Sequence, residues 1–87
     1  MRAQILMVGG PFDMQLMSVS GKETLPLHIR VASHNEFMEA VSEEHWHAAE
    51  YRLTAFEEME ASLMYLGTYK FVAMRETRHS LVDYWVT

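Results

Sequence analysis

The chain has 87 residues, 49% hydrophobic and 22% charged, with a net charge of −5 and a pI near 5.4. That length fits one domain, residues 1–87, with a modest core, and the apolar fraction disfavours a disordered chain. The absence of cysteine excludes thiol catalysis, Fe–S clusters and Cys-based zinc sites and points to a reducing cytoplasm, while the acidic balance argues against direct nucleic-acid binding, whose affinity rests on phosphate contacts.

Residues 3–8 (Ala-Gln-Ile-Leu-Met-Val) predict a first strand. The apolar run in it is too short for a membrane span or a signal-peptide core, so no membrane association is expected. Gly9-Gly10-Pro11-Phe12-Asp13 predicts a turn: the glycines permit unusual dihedrals, Pro11 fixes φ, and the Asp13 carboxylate can cap it. Residues 14–19 return as a second strand, making an antiparallel hairpin. After a turn at Ser20-Gly21-Lys22-Glu23, residues 25–32 predict a third strand, with Leu27, Ile29 and Val31 on one side and His28 and Arg30 on the other.

Ser33-His34-Asn35-Glu36 fits a capping box, which predicts a helix over about 34–42 with Phe37, Met38 and Val41 on its apolar face. Residues 47–66 are ambiguous. Tyr51, Leu53 and Ala55 alternate as in a strand, whereas Ala49, Leu53, Phe56 and Leu63 share a helical face in a Glu-rich stretch. Gly67 breaks either pattern. Residues 69–74 (Tyr-Lys-Phe-Val-Ala-Met) predict a further strand, and Thr77 is placed to cap a short C-terminal helix carrying Leu81, Val82 and Trp85. The eight methionines keep no steady spacing and read as core filler.

No catalytic signature emerges. Gly9-Gly10 lacks the phosphate-loop pattern, no serine sits in a nucleophile elbow, and adjacent glutamates such as Glu43-Glu44 and Glu57-Glu58 are ordinarily solvated. The expectation is a non-enzymatic protein without a cofactor. His45-Trp46-His47 is the one metal-like feature. Two histidines at i and i+2 share a strand face, but a third ligand would have to come from Glu44, Glu50 or His79.

Charge is unevenly spread. Between Glu36 and Glu60 stand eight acids and a single base, Arg52; the remainder of the chain holds four acids and six bases. Such a stretch either keeps the surface solvated or docks a basic partner. Aromatic residues accompany it, and tyrosine and tryptophan are favoured interface anchors.

Ile5-Leu6-Met7-Val8-Gly9-Gly10-Pro11-Phe12-Asp13, Ile29-Arg30-Val31, Glu50-Tyr51-Arg52-Leu53 and Tyr69-Lys70-Phe71-Val72-Ala73-Met74 together make the chain resemble a group of small bacteriophage proteins. These open on an apolar strand followed by Gly-Gly-Pro-x-Asp-Gly. Here Met14 stands where that pattern has its last glycine. The resemblance implies a small β-rich fold in which 49–56 is a strand, and it transfers no functional residue.

The resulting expectation is an α+β fold: a small antiparallel sheet of four or five strands with one or two short helices. The runner-up makes 47–66 one long helix. The expected function is that of a phage accessory protein in the bacterial cytoplasm that binds and inhibits a host protein with a basic surface, such as a nucleic-acid-binding or defence enzyme. Glu43, Glu44, Trp46, Glu50, Tyr51, Phe56, Glu57 and Glu58 are the expected contact residues. The alternatives are a homo-oligomeric assembly module, joined through a strand edge or the Tyr84-Trp85 tail, and a His-dependent metal binder.

Overall fold

A computed structural model describes residues 2–20, 24–35, 46–59 and 64–86. Six strands follow one another in the chain: β1 (Arg2–Val8), β2 (Leu16–Ser20), β3 (His28–Ser33), β4 (Trp46–Met59), β5 (Met64–Thr77) and β6 (Tyr84–Val86). They form one sheet in the order β2-β1-β5-β4-β3-β6. Single 3-10 turns at Gly10–Phe12 and His79–Leu81 complete the described elements.

This corrects the expected α+β class. Strands take up 72% of the described residues, and the sheet has six strands, not four or five. It is also mixed, not antiparallel: β1 runs parallel to β5 and β6 parallel to β3. Three local findings account for the difference. First, the ambiguous stretch is a strand through Met59, longer than 49–56, which also rules out the long helix. Its Glu-rich composition favours helix only weakly, and β5 supplies a fourteen-residue partner rich in Tyr, Phe, Val and Thr. Second, the C-terminal helix is replaced by the turn His79–Leu81 and by β6. Thr77 does not cap a helix but lies buried in the ladder opposite Trp46. The free edge of β3 offers Tyr84-Trp85-Val86 a partner, and Asp83 prepares the docking. Its N–H donates to the Arg30 carbonyl at 2.8 Å, and its carboxylate accepts the Arg30 N–H at 2.7 Å. Third, β1 pairs in parallel with β5 on the side away from β2, which makes the sheet mixed. The helix expected over 34–42 lies outside the described residues, apart from His34 and Asn35, which have helical backbone at the end of β3.

The first hairpin forms as expected but its connection is longer, from Gly9 to Gln15. Gly9 and Gly10 adopt φ of 80° and 66°, and a Cβ on Gly10 would run into the ring of Phe71. The Asp13 carboxylate accepts the Gly9 N–H at 2.6 Å. Met14, at the position where the phage pattern has glycine, has φ 65°, a region that costs a side-chain-bearing residue about 1–2 kcal/mol.

The sheet curls around its inner face. Ala3, Ile5 and Met7 of β1, Ile29 and Val31 of β3, Ala49 and Tyr51 of β4, Tyr69 of β5 and the preceding Leu25 are buried together there. Period-2 alternation explains the selection, since residues directly opposite across a ladder share a face: Met7 with Tyr69, Ile29 with Tyr51, Val31 with Ala49. Gly67, opposite Ile5, leaves room for Leu25. Two tyrosine hydroxyls tie the curl across this face. Tyr51 donates to the Gly9 carbonyl at 2.7 Å and accepts the Phe12 N–H at 3.1 Å. Tyr69 donates to the Pro26 carbonyl at 2.6 Å. A smaller cluster occupies the outer face, where Ala32, Trp46 and Ala48 are covered by Val82 and Trp85.

Candidate binding surface

β4 and β5 form the long hairpin of the molecule, whose overall extents are 45 × 22 × 19 Å. Two register irregularities interrupt it, between Glu50 and Tyr51 and between Leu53 and Ala55. Such bulges bend a strand and re-aim its side chains. β3 accompanies β4 only from Ala49 to Arg52, with one further bond from the Leu53 N–H to the Leu27 carbonyl at 2.8 Å. From Thr54 to Met59, β4 pairs with β5 alone among the described residues, and every residue in that run is exposed.

The expected contact residues divide along this strand. Trp46 is buried, 5% exposed, beside Trp85 with ring centroids 6.1 Å apart. Tyr51 has no exposed surface at all. Glu50 is half-buried and receives the Arg75 guanidinium at 3.3 Å. Phe56, Glu57 and Glu58 stand out on the distal half of β4. Phe56 is 48% exposed and stacks on Tyr65 of β5 at 5.1 Å, with 15° between the rings. Glu43 and Glu44 lie outside the described residues. The structure therefore brings Phe56, Glu58 and Tyr65 to one face of the hairpin, sets Glu57 on the opposite face beside Leu66, and assigns Trp46 and Tyr51 to packing. Tyr65 is not among the eight expected contact residues, and its pairing with Phe56 depends on register: the hairpin sets Glu58 opposite Tyr65 and Phe56 opposite Gly67, a pairing no local window contains.

The metal-like residues do not converge. His47 is exposed on β4, Glu50 is engaged with Arg75, and His79 packs on Trp85 at 4.7 Å; His45 lies outside the described residues. No group of three metal-ligating side chains stands among the described residues. Trp85 also meets His34 edge-on at 5.9 Å, so the aromatic tail is packed against the outer cluster and half-buried.

Burial pushes the Tyr51 hydroxyl above its ordinary pKa, and pushes that of Tyr69 up to about 12, where the nearby Tyr84 and Asp83 add to the effect. Both therefore remain neutral donors to backbone carbonyls at physiological pH, as a structural hydroxyl must.

A second grouping crosses the outer face of the sheet. His28 stands opposite Arg52, and Arg52 opposite Lys70. All three are exposed. An open cleft of about 370 Å³ lies at this row, lined by Arg52, Leu53, Thr54, Lys70, Phe71 and Val72.

Compared with protein-family models, with curated proteins and with solved structures, the chain matches none. No helix among the described residues is long and apolar enough to cross a membrane.

Proposed function

We propose that the protein is a binding module which engages a basic surface of a partner protein through the distal half of β4. One observation carries this reading: Phe56 is stacked and half-exposed on the same face as Glu58, with Glu57 on the other face, in a strand segment that has no neighbour on its outer edge among the described residues. The aromatic pair supplies apolar area in a fixed orientation, and the carboxylates supply attraction and register. In the setting implied by the phage-like strand pattern, the partner is a host protein and binding inhibits it. No step of this activity requires chemistry by the chain.

The test is capture from a lysate of the host cell with wild-type protein and with a Phe56→Ala, Glu57→Lys, Glu58→Lys variant. Wild type is expected to retain a basic protein at low salt and to release it as the Debye length shortens at high salt. The variant, with an unchanged circular dichroism spectrum, is expected to retain none. Equal capture by both proteins overturns the reading.

That edge, without a neighbouring strand among the described residues, favours one other reading, self-pairing of β4 with a second copy, because a strand edge is a template for another strand. Light scattering separates the two: a dimer that persists at high salt and is lost when Phe56 is replaced by proline supports self-pairing, and a monomer at high concentration removes it.

A further inference from the structure

The row formed by His28, Arg52 and Lys70 is unusual for an acidic protein. Arg52 is the single base within the acid-rich 36–60 segment, and the hairpin register sets it directly opposite Lys70. Like charges directly opposed across an antiparallel pair are destabilising. The ordinary remedy is a carboxylate between them, and none serves here: neither the Arg52 nor the Lys70 side chain has a hydrogen bond or an ion pair among the described residues. The nearest arginine–carboxylate pair on the same ladder, Arg75 with Glu50, is closed upon itself. The cleft at the two cations lies beside both bulges of the hairpin, and Val72, 45% exposed, gives it an apolar wall next to Phe71.

We propose that this cleft binds a phosphoryl group, held between the Arg52 guanidinium and the Lys70 ammonium, with His28 at the end of the row. A guanidinium presents a planar fork of donors that matches phosphate oxygens, and an ammonium adds a compact charge. A dianionic ligand removes the repulsion across the ladder and is held by the charges that create it. Val72, 45% exposed, offers a surface for an apolar or ring-bearing remainder of the ligand. The site lies on a different stretch of the hairpin from Phe56, Glu57 and Glu58, so its failure and that of the partner-binding reading are separable.

The experiment is thermal unfolding at fixed ionic strength, with sodium chloride exchanged stepwise for inorganic phosphate in one arm and for adenosine monophosphate in another. Saturating ligand is expected to raise the wild-type Tm by about 5 °C, since anything that binds the native state alone stabilises it. Arg52→Gln is expected to lose that rise. Lys70→Glu is expected to unfold at a higher temperature than wild type in chloride, because it places a carboxylate opposite Arg52, and to show no response to phosphate. A larger shift with the nucleotide than with inorganic phosphate assigns the apolar wall to the ligand's ring, and equal shifts assign binding to the phosphoryl group alone. Wild-type shifts no larger than those in chloride, or a phosphate response retained by Lys70→Glu, overturn the proposal.

Discussion

The two halves of β4 are one continuous strand with opposite occupations. From Ala49 to Leu53 it has β3 or the segment before it on one side and β5 on the other, Trp46 and Ala48 just before lie under Val82 and Trp85, and Ala48, Ala49 and Tyr51 have no exposed surface. From Thr54 to Met59 it has β5 alone among the described residues, and all six residues are exposed. Residue choice follows the difference. The first half carries small residues where the sheet is covered on both faces and a tyrosine whose hydroxyl reaches the turn between β1 and β2. The second half carries one aromatic ring, Phe56, with Glu58 on the same face and Glu57 on the other. Stability is concentrated where the strand is surrounded, which leaves the outer half free to be shaped for contact.

Paired truncations give the largest effect and the most direct way to break that comparison. Tyr51→Ala removes a fully buried ring and both bonds of its hydroxyl, and is expected to cost about 4 kcal/mol, within the range for large aromatic residues cut to alanine in a core. Phe56→Ala removes a half-exposed ring whose stacking partner remains solvent-accessible, and is expected to cost under about 1 kcal/mol. Urea unfolding measures both. Similar losses at the two sites would mean that the distal half contributes as much to the fold as the proximal half does.

A change of pH tests the tied region without truncation. The Tyr69 hydroxyl is held at about 12 by burial, against an ordinary value of 10. Below pH 10 both the folded and unfolded chains keep that proton and the contribution is fully present. Between about pH 10 and 12 the unfolded chain loses the proton first, so stability falls as pH rises, by on the order of 2 kcal/mol in all. Tyr51, also raised, acts in the same direction. Urea midpoints measured from pH 9 to pH 12 should decline for wild type and decline less for Tyr69→Phe, which also loses the bond to the Pro26 carbonyl. Identical slopes would place the alkaline sensitivity elsewhere.

Much of the fold is legible where the signal is local. Strands at 3–8, 25–32 and 69–74 follow from alternation and turn residues; β1 and β5 run through the first and last, whereas β3 starts only at His28. Alternation also gives the buried side of β3 at Ile29 and Val31, with His28 exposed, but Leu27, expected on that side, precedes the strand and is 68% exposed. What local signal cannot supply is the identity of neighbours. Parallel pairing of β1 with β5 joins Ile5 to Gly67, and pairing of β3 with β6 joins Val31 to Tyr84. Without β3 beside it, Tyr84-Trp85-Val86 is too short to declare itself a strand. The candidate surface was half legible for the same reason. Glutamates mark the acidic stretch, but only the register tells that Tyr51 turns inward to Gly9 while Phe56 turns to Tyr65, or that Arg52 meets Lys70.

The smallest effect sharpens the comparison from within the tied half. The turn that Tyr51 holds contains Met14 at φ 65°, with 70% of its surface exposed. The side chain therefore contributes little packing, while its Cβ resists the left-handed backbone by about 1–2 kcal/mol. Glycine relieves that resistance and gives back part of the gain, because a glycine has more freedom to lose on folding. Met14→Gly is thus expected to stabilise the protein by about 0.5–1 kcal/mol, a Tm rise of about 3–5 °C for a domain of this size. The same substitution in a Tyr51→Phe background separates two accounts of why the strain is tolerated. If the Tyr51 hydroxyl, through Gly9 and Phe12, holds the turn in its left-handed form, the gain from glycine shrinks once the hydroxyl is gone, because Met14 can relax by other means. An undiminished gain in the double variant would mean that the turn keeps its shape through the local bond from Gly9 to Asp13, and that the tie from β4 anchors the strand more than the turn.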